Sequence, residues 1–541
     1  MEIVSAGEAV GRIAPRSTVA VGGSGSLLQV ADNLLKALAE RFEATGDPRD
    51  LVLVHTMGLG DNADRGLERL AKPGLLRRVI GSHYGHNPTL ARQIAEGAVE
   101  AFGVPGGVLS LLYRDIAGGR PGHITRTGLR TYVDPRIEGG RLNSATPGSL
   151  ASLLSLRDQE LLFYPSLSLD VGLLRATAAD LSGNLIMDEE AGFADNLALA
   201  MAVHASGGLV IAEVKYIAER HSFDPRTVKV PGILVDLVVE DPNQWQTPVT
   251  RYSPFRAGRM RSPVHSVLPL PLDARKVIAR RAACELFSGA VVNLGTGVPT
   301  GIASVLAEEG LTDSVTLTIE QGMIGGIPGT GLDSGTALNA EAFIDEGYQF
   351  DFYGGGGLDI CFVSFGEVDG LGNVNVSKLG GRAVGPGGFI DITQGARHVV
   401  FCGTLTGGDL AVAVGPGGLS IQREGRYRKF VASVGQVTFS GPLAIEDGRP
   451  VSVVTERAAF ELGGDGLILT EIAPGVDLKR DILDQVDCRI LVSQDLRLMP
   501  IALFSEAPLS SEGLDLIHKS RPDNGGVKAP DAIAKDEEVV Q

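Results

Sequence analysis

The chain has 541 residues, of which 44% are apolar and 21% charged, and its 48 basic against 65 acidic side chains leave a net charge of −17. That length exceeds what one compact core usually serves, so two or three domains are expected. The acidic balance argues against nucleic acid or an anionic membrane surface as a bulk partner, though a few local cations could still hold a small anionic ligand.

The first thirty residues lack a basic start followed by a long apolar run, and no stretch of about 18 uncharged apolar residues occurs, so neither a signal peptide nor a membrane span is expected. Cys284, Cys361, Cys402 and Cys488 lie far apart, without a CxxC or a zinc-finger spacing. They are expected as reduced thiols, which fits the cytoplasm.

From the N-terminus, STVAVGG (17–23) predicts a strand entering a turn, and LLQVADNLLKALAERFEATG (27–46) a helix closed by glycine. DLVLVHTMG (50–58) and LLRRVIGSHYG (75–85) predict two more strands, and ARQIAEGAVEAFG (91–103) a helix. Continuous apolar strands separated by helices predict an α/β fold around a mostly parallel sheet with both faces covered. Residues 1–240 form the first such domain. From 241 to 271 the pattern fails; this proline- and arginine-rich stretch, which holds Trp245, predicts a linker across the surface. LDARKVIARRAACELFSG (272–289) predicts the helix that opens a second α/β domain, 272–519. The polar tail 520–541 is expected to be disordered.

The two halves read as distant repeats. TVAVGGSGSLLQVADNLLKAL (18–38) parallels AVVNLGTGVPTGIASVLAEEG (290–310), and DLSGNLIM (180–187) parallels DGLGNVNV (369–376), in the same order. Two similar open α/β domains facing each other would create a cleft suited to a site.

Gly295, Gly297 and Gly301 form GxGxxxG between a strand and a helix, and the next strand ends in Glu320. That spacing admits a nicotinamide-dependent enzyme, but the glycine turn has an echo near Gly22–Gly25, and a dinucleotide site leaves QGMIGGIPGTG (321–331) unexplained. No P-loop, GxSxG or HExxH occurs. His83 and His86 have no acid or third histidine at ligand spacing, so turn or hydrogen-bonding roles are expected and no metal site.

Glu320 ends an apolar β-branched run and is followed by three glycine-rich loops, within 322–335, 348–360 and 380–392. A carboxylate at the C-terminal end of a strand points into the crevice where α/β folds bind ligands. Bare backbone beside it offers N–H groups to a phosphate or to an oxyanion, an arrangement suited to covalent catalysis.

Here the sequence resembles the family I CoA-transferases, above all the fused single-chain acetate or propionate CoA-transferases. The resemblance runs from about Val4 to Glu506 and is carried by GVLSLLYRDIAGGRPGHITRTGLRTYVDPR, DPRTVKVPGILVD, TIEQGMIGGIP, FDFYGGGGLD, GNVNVSKLGGR, GPGGFIDITQGARHVVFCGT and FELGGDGLILTEIAPGVDLKRDIL. It implies two α/β domains and catalysis by Glu320, which would carry CoA as a glutamyl thioester in a ping-pong exchange between an acyl-CoA and a carboxylic acid. It implies an oxyanion-hole glycine at Gly387 or Gly388. Binding of CoA or substrate is expected at Gly106, Gly355, Gly356, Asn373, Asn375 and Lys378, with Arg382 the second choice for a phosphate. CoA is then a substrate and no cofactor is expected; assembly into a homodimer or homotetramer is implied by the resemblance alone.

Two departures stand out. The family often has Pro-Gln-Gly where this chain has Pro105-Gly106-Gly107, and an aspartate where it has Gly354. Both replacements remove bulk and polarity, which predicts a pocket for an acyl group larger or more apolar than acetate. Three alternatives remain open at this point: an acyl-CoA hydrolase on the same site, a nicotinamide enzyme, and a CoA-binding regulator without turnover.

Overall fold

The structure, a computed structural model, describes residues 1–263 and 269–509. The expected tail and residues 264–268, toward the end of the linker, lie outside the described residues. No helix among the described residues is long and apolar enough to cross a membrane.

The first half builds a sheet with eight parallel strands in the order Glu2–Ile3, Leu237–Glu240, Leu209–Ala218, Val171–Asp180, Thr18–Val21, Leu51–His55, Leu76–Gly81 and Glu100–Gly103. Every residue of Val171–Asp180 and of Leu51–His55 is buried, as helices on both faces require of a parallel sheet. The helix expected over 91–103 is shorter and earlier: it spans Pro88–Ala95, and Glu100–Gly103 is the edge strand. Four residues of strand directly behind a helical pattern carry too little periodicity of their own to be seen.

The second half has a ten-stranded sheet whose middle is parallel: Thr316–Ile319, Val291–Leu294, Ile360–Ser364, His398–Cys402 and Val451–Val454. Antiparallel strands extend both sides, Met323–Ile324 and Ala342–Phe343 on one and Ala458–Gly463 and Gly466–Ile472 on the other.

The halves share this middle, strand for strand. In each, the first strand (Thr18–Val21, Val291–Leu294) lies between the second (Leu51–His55, Thr316–Ile319) and the third (Val171–Asp180, Ile360–Ser364). Val21 faces Leu173 as Leu294 faces Phe362, and Gly22 and Gly295 each donate to the same partner's carbonyl, at 2.8 and 2.7 Å. The repeated DxxGN turns are built alike down to single bonds. Asp180 accepts from the Ser182 and Asn184 amides and from Asn184 Nδ2, while Asn184 Oδ1 accepts from the Gly232 N–H. Asp369 accepts from Leu371, Asn373 and Asn373 Nδ2, while Asn373 Oδ1 accepts from the Gly441 N–H.

The two halves interlock rather than abut. The hydrophobic core of the first takes in Ala383 and Ile390 of the second, and Met57 of the first belongs to a core cluster of the second. The segment from Asp241 crosses between them: Thr247, Thr250 and Arg256 all bond to the Asp333 carboxylate, at 2.6–2.9 Å.

Asp369 is 4% exposed and holds three donors, so Asp369→Ala leaves them unpaired and is expected to destabilise the fold by about 2 kcal/mol, with Asp180→Ala similar. Urea denaturation of the two variants checks this; a midpoint within error of the wild type for Asp369→Ala would refute the structural role of the turn.

Candidate active site

Glu320 follows the strand Thr316–Ile319 at its C-terminal end. That strand is pinned from the side: Tyr353 Oη donates to Thr318 Oγ1 (2.9 Å), which donates to the Val292 carbonyl (3.0 Å), and Asn293 Nδ2 bonds to the Thr318 carbonyl (3.3 Å). Gln321 Nε2 donates to Glu320 Oε1 at 3.0 Å. The other oxygen, Oε2, rests against Gly388, where a Cβ would overlap it. A side chain at 388 would therefore have to displace the Glu320 carboxylate from this position.

Gly388 belongs to a second-half loop that the first half holds by its backbone. Tyr84 N–H donates to the Val384 carbonyl (2.7 Å), Gly387 N–H to the Ser82 carbonyl (2.9 Å) and Gly106 N–H to the Gly387 carbonyl (2.8 Å). Gly107 N–H adds a bond of 3.1 Å to Asp391 Oδ2, in the first turn of the helix Phe389–Gly395. Gly387 has φ of +55° and Gly385 +81°, backbone that side chains rarely adopt. The Gly387 amide is thus committed to Ser82, whereas the Gly388 amide donates to no acceptor among the described residues.

Glu320 and this loop line a cavity of about 420 Å³ at the seam of the two halves. Leu294, Ile319, Val363, Phe365, Val376 and Leu379 give it apolar walls from the second half; Met57, Gly58, His83 and His86 come from the first. No lysine or arginine is among the residues that line it. Burial raises the Glu320 carboxyl above its usual range, opposed by the Gln321 hydrogen bond. Nearby acids respond in the same way: Asp391 is pushed up to about 8 by burial and then by the charge of Glu320, despite the Gly107 amide. Glu346, which accepts from Ser24 Oγ, rises well above its ordinary value through burial and then Asp195.

Two comparisons bear on what such a seam does. The family profile described as Coenzyme A transferase matches residues 3–241. The acetate CoA-transferase YdiF of Escherichia coli K12 is 42% identical over 94% of this chain and 96% of its own length.

The chain belongs to the coenzyme A transferase family.

A caffeate CoA-transferase of Acetobacterium woodii is 43% identical, covering 95% of this chain and 99% of that protein. The crystal structure of the acyl-CoA transferase YdiF from Escherichia coli O157:H7, as a thioester complex with CoA, superposes with a TM-score of 0.89 at 41% identity, covering 94% of this chain and 97% of that one. The protein is thus an enzyme of the CoA-transferase type, with the two-sheet α/β architecture of that family. Membership of this family sets aside a nicotinamide role for Gly295–Gly301; Gly295, Thr296 and Thr300 of that turn line the Glu320 cavity.

Within this CoA-transferase the expected site residues separate into two sets. Glu320, Gly387 and Gly388 line one cavity, and Gly106 stands at its back. The space a side chain at 106 would need is filled by the terminal methyl of Met57, so the missing glutamine leaves no added room. Lys378 and Arg382 lie exposed on the hairpin whose Leu379 lines the cavity, and neither makes an ion pair among the described residues.

Gly354, Gly355 and Gly356 lie elsewhere. They end the helix Glu346–Gly354 and lead into the N-terminal end of Ile360–Ser364, the sheet edge opposite to Glu320. Only two of the three glycine-rich loops reach the cavity, and Gly354 adds nothing to its size. Asn373 is consumed by the Asp369 turn described above. Asn375 is fully buried, donating to Glu367 and the Lys378 carbonyl and accepting from the Ser377 and Lys378 amides. Neither asparagine lines the cavity. Met57, His83, His86, Gln321 and Asp391 went unselected in the sequence as site residues; the two histidines were weighed as metal ligands and given turn or hydrogen-bonding roles.

Two outcomes follow from this geometry. Gly388→Ala drives a methyl group into the Glu320 carboxylate and is expected to lower kcat at least a hundredfold or so, since it displaces both nucleophile and amide; steady-state rates beside a circular-dichroism check of folding measure it. Glu320 stays protonated to higher pH in the folded than in the unfolded chain, so its ionisation penalises the fold increasingly as pH rises above the ordinary carboxylate value. Glu320→Gln is therefore expected to raise the Tm at about pH 8, with the gain vanishing near about pH 4; calorimetry that finds an equal or lower Tm at the higher pH would contradict it.

Proposed function

We propose that this enzyme moves CoA from an acyl-CoA to a carboxylic acid through a thioester on Glu320, by ping-pong kinetics. The observation that carries this is the contact of Glu320 Oε2 with Gly388, which leaves a nucleophilic carboxylate beside an uncommitted main-chain N–H. The crystal structure of the YdiF relative as a thioester complex with CoA supports the same chemistry for a similar chain.

The steps balance as acyl exchanges. A Glu320 oxygen attacks the thioester carbonyl carbon, the C–S bond breaks, and CoA thiolate leaves behind an acyl–glutamyl anhydride. The thiolate then attacks the glutamyl carbonyl, expelling the first acid as its carboxylate and leaving glutamyl-CoA. The incoming carboxylate runs both steps in reverse and departs as the new acyl-CoA, regenerating Glu320. The anhydride conserves the activation of the thioester, so neither ATP nor a cofactor enters. Of the two expected oxyanion donors, Gly388 is the one we propose, because the Gly387 amide already serves Ser82. One such donor is worth roughly 2.7–4 kcal/mol in the transition state. Lys378 and Arg382 are proposed to meet CoA phosphates at the cavity mouth, and a homo-oligomer is proposed from family resemblance.

Substrate range follows from charge. With no cation along its walls, the cavity offers nothing to a second carboxylate, whose desolvation would go uncompensated. The acids transferred are therefore monocarboxylic.

Mass spectrometry of the protein mixed with acyl-CoA is expected to show a CoA-sized adduct on the peptide containing Glu320, absent from Glu320→Gln. Propionate and butyrate should release it as acyl-CoA, and succinate should not. Initial-rate plots that intersect instead of running parallel would overturn the mechanism.

A further inference from the structure

Two buried acids at the seam have no part in the chemistry above. Glu346, from the second half, opens the helix Glu346–Gly354, and its N–H donates to the Ala194 carbonyl of the first half at 3.1 Å. Asp195 is the next residue after Ala194, and a Cβ on Gly347 would stand 3.9 Å from Asp195 Oδ1. The side chains of Glu346 and Asp195 therefore meet from opposite halves, with the residues 0% and 2% exposed. Glu346 Oε1 accepts from Ser24 Oγ at 3.0 Å, and Asp195 Oδ1 accepts from Ser110 Oγ. Their other oxygens, Glu346 Oε2 and Asp195 Oδ2, are buried with no hydrogen-bond partner among the described residues, as is Tyr113 Oη. Tyr113 lies beside both, since burial and then the charges of Asp195 and Glu346 push its hydroxyl up.

A count of protons settles how these oxygens are satisfied. With both acids ionised, two charges would share one water-poor space, and the single Tyr113 O–H can serve one bare oxygen but not both. Nearby cations do not help: Arg114 pairs with Asp351, and the Lys229 ammonium lies 3.5 Å from the centroid of the Phe193 ring. A proton on Glu346 Oε2 removes one charge and supplies the missing donor, so that no buried oxygen is left bare. Glu346 is the acid that burial, then Asp195 and then Glu320 raise well above its ordinary value.

Both sides of this acid bridge lead to the nucleophile. Ser24 begins a first-half turn closed by main-chain bonds of 2.9 and 3.0 Å to Leu28. Gly25 of that turn packs on Gly335, where a Cβ would stand 3.1 Å from Gly25 Cα and 3.3 Å from Gln321 Cδ. Gln321 is the side chain that donates to Glu320. On the second-half side, Glu346 lies two residues beyond Ile344, whose N–H donates to the Gly322 carbonyl at 2.8 Å. The Glu320–Gly322 turn is thus held between the two arms. We propose that Glu346 carries a proton that it shares with Asp195 across the seam, and that this bond makes Glu346 a positioning residue for Glu320. The role, though not the proton, rests on the reading of Glu320 as nucleophile.

The test uses the full chain and two variants. Glu346→Gln keeps the shape, the neutral charge and a donor for Asp195, whereas Glu346→Ala keeps no hydrogen bond. With acetyl-CoA and butyrate, Glu346→Ala is expected to lose about tenfold in kcat with KM for acetyl-CoA changed less than about twofold, and Glu346→Gln to recover most of that loss. The infrared difference between wild type and Glu346→Gln at neutral pH is expected to show the loss of a protonated-carboxyl band. Loss of an ionised-carboxylate band instead would overturn the shared proton. A kcat for Glu346→Ala within about twofold of wild type, or a Glu346→Gln as slow as Glu346→Ala, would overturn the positioning role. Should Glu346→Ala not fold, Ser24→Ala removes only the bond to Glu346 Oε1; its kcat is expected to fall about threefold, and an unchanged kcat would count against the role in the same way. If the wild type forms no CoA adduct on Glu320, the nucleophile reading fails and the positioning role with it, while the infrared band still decides the proton.

Discussion

The site depends on one loop being held by the half of the molecule to which it does not belong. Residues 384–388 come from the second half, yet their main-chain groups are taken by Ser82, Tyr84 and Gly106 of the first. Each such bond contributes only about 1 kcal/mol net, but a buried N–H or C=O that lost its partner would cost more. The loop therefore has one low-energy position, and that position brings Gly388 against the Glu320 carboxylate. The apolar seam works the same way, with Ala383 and Ile390 sunk into the opposite core and Met57 sunk into theirs.

Around this contact, burial works for the chemistry at the expense of the fold. Glu320, Asp391 and Glu346 all ionise reluctantly, and each makes ionisation harder for a neighbour. A poorly solvated carboxylate is a better nucleophile toward a thioester, and a water-poor cavity slows hydrolysis of what it forms. The walls show the same economy: apolar side chains, bare glycine and neutral imidazoles, with the single nucleophile the one group meant to carry charge.

Much of this could be read in the sequence, for identifiable reasons. The duplication showed because strand–turn–helix units and DxxGN turns leave fixed residues at fixed spacing. Glu320 showed because a charge at the end of an apolar run is unusual. Glycine was the ambiguous signal. The loop 380–388 and the loop 354–357 look alike as sequences, but one lies at the C-terminal ends of the parallel strands and the other at their N-terminal ends. Asn373 and Asn375 looked like binding residues because alternation suggests an open strand face; a turn consumes the first, and a buried hydrogen-bond set the second. His83 and His86 were noticed only as candidate metal ligands, and Met57 was beyond reach, since local spacing says nothing about a partner in the other half.

The matching strand orders give the middle strands of the catalytic half counterparts in the other. Register places Thr56 where the other half has Glu320, each the first residue beyond its strand. The Thr56 carbonyl accepts from Ser82 Oγ, so the counterpart position has become part of the brace rather than a second nucleophile. Most of that brace is made of peptide groups, which every residue possesses. Ancestral copies could diverge at nearly all of their side chains and still dock, provided a few glycines persisted. Such a joint constrains the path of the backbone far more than it constrains the side chains that the backbone carries.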